Sequence, residues 1–228
     1  MRKTCLGPLT ILLALLFAPQ VNADILIDRP IDSSIPRTLN LAAGDVTNLS
    51  SYIVVDVTFD QDVLLDSITT FFDDAGTVWP STLSATLNIF DGDPLTNADN
   101  PQNGQDVSVS VAFTPGATPG TGVHAVTADS FTPIVLAAGD YWIGLTPEFD
   151  VSAAPPNFYY NSATTGFNGG SFFRNPGAGL ASGFWETDPN ADGRPLQGAI
   201  RIEGQVVPEP SATAILALCG LLGLRRKR

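Results

Sequence analysis

The feature that most constrains the fold of this chain is a strict alternation of apolar and small residues from Val107 to Phe113. Three valines and Phe113 fall on one face of an extended segment, and serine or alanine falls on the other, as in a strand with one buried face. A similar alternation runs from Thr82 to Phe90. Outside the two chain ends, no window longer than about ten residues has a helical period. The sequence therefore predicts an all-β body.

Further short segments rich in β-branched and aromatic residues are separated by turns that contain glycine, proline or aspartate. These segments are Ile25–Ile27, Tyr52–Phe59, Val63–Phe71, Gly122–Ala128, Thr132–Leu136, Asp140–Thr146, Asn157–Tyr160, Gly170–Arg174 and Ala199–Val206. Many short strands joined by such turns favour an antiparallel β-sandwich, of jelly-roll or immunoglobulin-like type, over residues 24–206. The body lacks the Cys…Trp…Cys pattern of a true immunoglobulin domain.

Residues 1–23 have the three parts of a secretory signal peptide. Arg2 and Lys3 form a charged start, Leu6–Ala18 is apolar, and Val21–Ala23 is a small-residue cleavage site. We therefore expect an N-terminal signal helix, export of the body, and a mature chain that begins at Asp24.

Residues 207–228 also have three parts. Pro208 and Pro210 give a stiff, non-helical segment, Ala212–Leu224 is an uncharged apolar run, and four basic residues end the chain. We expect the run to form a C-terminal transmembrane helix whose basic end stays cytoplasmic. The 14 residues from Ser211 to Leu224 would span about 21 Å, which is short for a permanent membrane span.

This order of motif, short apolar helix and basic end resembles the PEP-CTERM sorting signal of Gram-negative bacteria that make extracellular polymer. The resemblance covers only the last 22 residues. It implies that Pro208, Glu209 and Pro210 form the motif read by an exosortase, a membrane-embedded cysteine transpeptidase. It also implies a membrane-anchored intermediate that passes to the cell surface or matrix. A C-terminal tail anchor that is never cut is the alternative.

The composition of the body excludes several classes of function. Of the chain's 23 acidic and 11 basic residues, six bases lie in the two ends, and the body has no lysine. Such a body lacks the clustered bases that nucleic-acid binding requires. Both cysteines, Cys5 and Cys219, also lie in the ends. The body therefore has no disulfide, thiolate nucleophile or cysteine-ligated metal.

Two loops are rich in the hard oxygen ligands that calcium prefers. The first runs from Asp91 to Asp106 and offers Asp91, Asp93, Asn97 and Asp99. The second begins like an EF-hand loop and offers Asp188, Asn190 and Asp192. Its twelfth position is Ala199 instead of the required glutamate. Ordinary solvated turns are the alternative interpretation of both loops.

A late aromatic segment is the third candidate site. Its rings include Tyr159, Tyr160, Phe173 and Trp185, among asparagine, serine and glycine. Exposed rings beside amide side chains are how many sandwich modules hold sugars, and exopolysaccharide is the partner that this interpretation implies. Core packing is the alternative.

Catalysis is not expected. His124 is the only histidine and lies in a strand-like segment, where a structural role is expected. Without lysine or cysteine the body excludes Schiff-base and thiol chemistry, and a histidine triad would depend on His124 alone. The sequence therefore predicts an exported, non-enzymatic surface or matrix protein, with calcium as a candidate stabilising ion. The alternatives are a carbohydrate-binding module and, third, a glycoside-active enzyme that uses two carboxylates.

Overall fold

The computed structural model describes residues 23–31, 38–39, 42–43, 52–73, 78–92, 105–116, 122–149, 159–160, 172–175, 186–187 and 198–207. In this part of the chain all regular structure is β. The strands are β1 (Asp24–Arg29), β2 (Thr38–Leu39), β3 (Ala42–Ala43), β4 (Tyr52–Phe59), β5 (Val63–Asp73), β6 (Thr82–Phe90), β7 (Gln105–Pro115), β8 (Gly122–Ala128), β9 (Ile134–Leu136), β10 (Gly139–Phe149), β11 (Tyr159–Tyr160), β12 (Phe172–Asn175), β13 (Glu186–Thr187) and β14 (Ile200–Val206). Within the ranges just given, no helix is long and apolar enough to cross a membrane.

The strands form one sheet in the order β1-β14-β5-β8-β7-β6-β10-β4-β12-β13. All pairs in this order are antiparallel, and the short β3 lies parallel to β10. β8 and β9 lie end to end along the same side of β5, and β11 pairs with the end of β5 at Phe72 and Asp73. The predicted all-β, antiparallel character is confirmed.

One hydrophobic core lies between the inner faces of these strands. Inward side chains of β5 and β14 share it with those of β4, β6, β7, β8 and β10, and Phe72, Leu65, Leu87, Ile143 and Ile202 are among its fully buried members. The alternation predicted for β7 is confirmed at Val107 and Val109, which are buried, while Ser108 and Ser110 are exposed. Burial of alternate side chains therefore fixes the register of the strands.

Phe113 differs from this expectation, since it is 49% exposed. β6 begins at Thr82, opposite Ser110, so the hairpin of β7 and β8 continues past the end of its neighbour. The apolar face of β7 beyond that point has less sheet to pack against, which leaves Phe113 at the margin of the core.

β6 and β10 are buried on both faces. Every residue from Ala85 to Phe90 is buried, and in β10 Thr146 is as fully buried as Leu145. Val54 of β4, Phe90 and the partly buried Trp142 form a small second cluster, separate from the main core. The central strands of the sheet are thus covered on two sides.

A salt bridge connects two strands that are far apart in the sheet order. Arg29 of β1 donates from Nη1 to Oδ1 of Asp56 in β4 at 3.0 Å. β1 is the first strand of the order and β4 is the eighth. The contact brings these distant parts of the sheet together, which makes the sheet nearly closed.

Candidate functional site

The predicted calcium ligands lie mostly outside the described residues. Asp91 directly follows β6 and is exposed. The other six, Asp93, Asn97, Asp99, Asp188, Asn190 and Asp192, lie outside the described ranges. Among the residues that are described, no three histidine or acidic side chains come together in a way that could hold a metal ion.

The late aromatic segment is described only in its short strands. Tyr159 and Tyr160 form β11 beside Asp73 and Phe72 of β5, whereas Phe173 lies in β12 opposite Val54 of β4. The backbone therefore places the tyrosines and Phe173 on strands that pair with different parts of the sheet. Trp185 and the motif residues Pro208, Glu209 and Pro210 lie outside the described ranges.

The first and the last strand of the described body have their outer ends at the same end of the body. β1 begins at Asp24, which is paired with Gly204 near the end of β14. The turn at residues 60–62 and the turn at residues 137–138 lie at the same end, because Val63 is paired with both Val206 and Leu136. We call this part of the body the exit end.

Asp62 joins three segments at the exit end. Its carboxylate Oδ1 accepts a hydrogen bond from the backbone N–H of Ala138 at 2.9 Å. Its backbone carbonyl accepts a second from the N–H of Val207 at 2.8 Å. The turn before β5, the turn before β10 and the exit of β14 are thereby held by one residue.

Tyr141 is the buried titratable residue of the exit end. Its hydroxyl donates to the carbonyl of Ala137 at 3.1 Å, and its ring centroid lies 6.0 Å from that of Phe59. Burial raises the pKa of Tyr141, and the negative charges of Asp91 and Asp62 act in the same direction. The phenol is therefore neutral at physiological pH and serves as a hydrogen-bond donor.

Gly204 allows the three strands at the exit end to approach closely. A Cβ atom on Gly204 would lie 2.1 Å from the carbonyl oxygen of Leu64 in β5 and 3.0 Å from Cδ1 of Leu26 in β1. The register of β14 shifts between Glu203 and Gly204, and that of β1 shifts between Ile25 and Ile27. Glycine at a bulge is the expected solution where backbones crowd.

A second candidate is an open groove of about 360 Å³ on the outer face of the sheet. Its polar lining consists of Thr82, Ser84, Ser108, Ser110, Asp129 and Ser130. Ser84 also donates to Glu148 at 2.8 Å, and Ser130 donates to Asp129 at 2.9 Å. The groove offers hydroxyls and carboxylates to a polar ligand, and no aromatic ring among its described lining residues.

His124 lies in an aromatic cluster at the far end of the body from Asp62. It is buried, stacks on Trp79 with ring centroids 4.3 Å apart and an interplanar angle of 14°, and lies 4.7 Å from the ring of Phe113. The histidine is opposite Phe72 of β5 in the strand register. Its ring packs as part of the margin of the core.

The sequence patterns did not identify Asp62 or Gly204 as important positions. Asp62 carried only the signal of an ordinary turn residue between two strands. Gly204 had a stronger signal, because an isolated glycine within a β-type segment indicates a bulge or a close backbone approach. The pairing of Asp24 with Gly204 depends on strand order, which a local pattern does not contain.

No family model matches the chain, and no curated protein matches it at a significant level.

Proposed function

We propose that this chain is an exported, non-enzymatic β-sandwich protein that an exosortase delivers to the cell surface or extracellular matrix. The observation that carries the proposal is the position at which the last described strand ends. β14 ends at Val206, and Val207 is held by Asp62 immediately before the Pro208–Pro210 motif. The last described strand thus ends directly before the residues that we propose as the sorting signal.

The pairing of β14 supports a division of the chain into body and tail. β14 is bonded on one side to β1 and on the other to β5. A cut within β14 would remove a strand that contributes Ile200 and Ile202 to the core. A cut after Val207 would leave the whole sheet in place, as expected for a processed and displayed domain.

We also propose that the strands are arranged in two packed layers, as in a β-sandwich. β1, β14, β5, β8 and β7 would form one layer, and β6, β10, β4, β12 and β13 the other. The main core cluster, to which both sets of strands contribute, supports this division.

The partners of the acidic side chains support a non-enzymatic role. Glu148 accepts hydrogen bonds from Ser84 and Thr86, Glu203 accepts one from Ser67, and Asp140 accepts one from Thr58. These carboxylates each bond a side chain on a neighbouring strand. Such bonds stabilise the sheet, and a carboxylate pair of the glycosidase kind instead faces an open cleft.

Substitution of the motif tests the proposal. The triple variant P208A/E209A/P210A and the wild-type chain would be expressed in a Gram-negative host that contains an exosortase. We expect the wild-type body in the surface or extracellular fraction and the variant in the inner membrane with its tail uncut. Glu203→Gln, which changes a glutamate of the body, is the matched control and should be sorted normally. Equal sorting of the triple variant would contradict the proposal.

Calcium stabilisation is the metal-dependent part of the proposal, and it rests on the oxygen-rich loop that begins at the exposed Asp91. Thermal unfolding of the processed protein would be compared in EDTA and in excess calcium. A ligand at 100 times its Kd adds about 2.7 kcal/mol, which is a shift of a few degrees in Tm for a domain of this size. We expect Asp91→Asn to reduce the shift and Asp129→Asn to retain it. Equal Tm values with and without calcium would contradict this part.

Binding of exopolysaccharide is the second candidate function, and the hydroxyl-lined groove is the observation that favours it. Retention of the processed protein on exopolysaccharide from the host would be compared for wild type, S84A/S108A and the exposed control Thr132→Ala. Sugar binding in the groove predicts loss of retention for the double variant alone. Retention that is equal in all three, or absent in all three, would contradict binding in this groove.

A further inference from the structure

We infer that the body folds while both membrane-directed segments are still attached, with its exit end toward the lipid surface. The inference rests on the proposed function, because it assumes that residues 1–23 and 207–228 reach the membrane. It adds an orientation of the body and an order of events. Removal of the N-terminal segment is then not a condition for folding.

The strand pairing at the exit end provides the geometry. Asp24 lies opposite Gly204, and the chain continues for three residues from there to Val207, directly after the end of β14. With about 4.8 Å between strands and about 3.3 Å per residue, Asp24 and Val207 lie about 11 Å apart. Two packed helices have axes 8–10 Å apart. Segments that leave the body at these two residues can therefore enter one membrane side by side.

The length of the body makes it important that both segments leave at the same end. β5 has 11 residues and is about 36 Å long at about 3.3 Å per residue. If the two ends of the folded chain lay at opposite ends of β5, two attached membrane segments would pull across that distance. The first or last strand would then have to leave the sheet until one segment was cut. In the observed arrangement neither strand has to move.

The C-terminal exit keeps the body close to the membrane. Val207 is bonded to Asp62, and four residues, Pro208–Ser211, separate it from the apolar run that starts at Ala212. Four extended residues reach at most about 14 Å. The exit end must then face the bilayer while the tail is anchored.

The distribution of exposed apolar side chains agrees with this orientation. Among the described residues, six large hydrophobic side chains are exposed, and four of them lie in β1, in β9, at the end of β14 or directly after it: Ile25, Val135, Val206 and Val207. Val135 is paired with Leu64 and Val206 with Val63, so both lie beside the first residues of β5, at the exit end. Apolar side chains at this margin are suited to the interfacial region of a bilayer.

The test uses the full chain with its N-terminal cleavage site blocked. Ala23→Phe removes the small residue that the site requires and alters an exposed position outside the core. Wild type and Ala23→Phe would be expressed in a Gram-negative host, and spheroplasts would be treated with proteinase K. We expect the half-life of the body in the uncut variant to be within twofold of that in wild type. A half-life that is more than twofold shorter in the uncut variant would overturn the inference.

A folding control and a distance measurement complete the test. Gly204→Val, which forces side-chain atoms onto the Leu64 carbonyl, should make the body protease-sensitive in both forms. In Ala23→Phe that also carries Cys5→Ser and Cys219→Ser, the substitutions Asn22→Cys and Pro208→Cys introduce two thiols, and a short bismaleimide should join them. Failure to join them would also overturn the inference.

Failure of the proposed function has a different result. If the wild-type chain is not exported, the protease reaches none of it in spheroplasts and no N-terminus at Asp24 is produced. That result contradicts the export proposal, and the inference fails with it. An exported chain whose uncut form is rapidly digested contradicts only the inference.

Discussion

Arg29 and Asp56 form a salt bridge with 3.0 Å between Nη1 and Oδ1, across two strands that are not hydrogen-bonded neighbours. The side chain of Arg29 is 9% exposed and that of Asp56 is 25% exposed. Arg29 is in the first described strand, so the bridge connects β1 to β4. The contact lies where the two ends of the nearly closed sheet approach each other.

Removal of one partner of this bridge should destabilise the body. Asp56→Asn removes the carboxylate that accepts a hydrogen bond from the mostly buried guanidinium of Arg29, and we expect a loss of about 2–3 kcal/mol in the free energy of unfolding. R29M/D56L, which removes both charges, should recover part of the loss. Urea unfolding of wild type, Asp56→Asn and R29M/D56L gives the free energy of unfolding of each protein. A single variant as stable as wild type would show that the bridge does not hold the two strands together.

Gly204→Ala should destabilise the body through a clash with the backbone. The new Cβ atom would lie 2.1 Å from the Leu64 carbonyl oxygen, and a backbone atom in a paired strand cannot move aside easily. We expect a loss of about 3 kcal/mol, at the upper end for overpacking. Ser108→Ala, at an exposed position of β7, should change stability by less than about 0.5 kcal/mol. Equal urea midpoints for the two variants would contradict the close approach of β14 to β5.

Tyr141 should make stability fall in alkaline solution. Burial raises its pKa in the folded state above the ordinary tyrosine value of 10.0. The unfolded chain then loses the proton first as pH rises, so the free energy of unfolding falls from about pH 10 upward until the folded form also ionises. Tyr141→Phe should have a flatter profile above pH 10, although it is less stable at neutral pH by about 1 kcal/mol because the bond to Ala137 is lost. The free energy of unfolding would be measured against pH for both proteins. If it fell equally steeply above pH 10 in wild type and Tyr141→Phe, ionisation of Tyr141 would not be the cause of the fall.

Asp62 should stabilise the exit end through its acceptor oxygen more than through its charge. Asp62→Ala removes the acceptor for the Ala138 N–H, and we expect a loss of about 1 kcal/mol. Asp62→Asn retains a carbonyl oxygen and should be closer to wild type. Hydrogen exchange at the Ala138 amide is the specific measurement. Exchange that is equally fast in Asp62→Ala and in wild type would rule out this bond.

The sequence predicted a strand and its buried face well where apolar and polar residues alternate within that strand. The alternation around Val107 and Val109 identifies β7 and its buried face. It was less informative for β6, where Asn88 and Phe90 are also buried, because a second covered face depends on what packs there. The boundaries of short strands differ as well, since Thr132 and Pro133 precede β9 instead of belonging to it.

The candidate site was harder to predict than the strands. Arg29 and Asp56 are ordinary charged residues in the sequence, and only the closure of the sheet makes them partners. The pairing of Asp24 with Gly204 depends in the same way on strand order. Of the predicted ligands, Asp91 is placed at the exit end, where its charge acts on Tyr141.

The central claim is that an exosortase cuts the C-terminal tail and delivers the body outside the cell. The most direct test is the intact mass of the protein recovered from the medium of cells that contain an exosortase. We predict a chain that starts at Asp24 and lacks the apolar run Ala212–Leu224 and the four terminal bases. The same cells without the exosortase should retain the full tail in the membrane fraction. A mass that includes the C-terminal arginines in both cells would contradict the proposal, and would identify the tail as a permanent anchor.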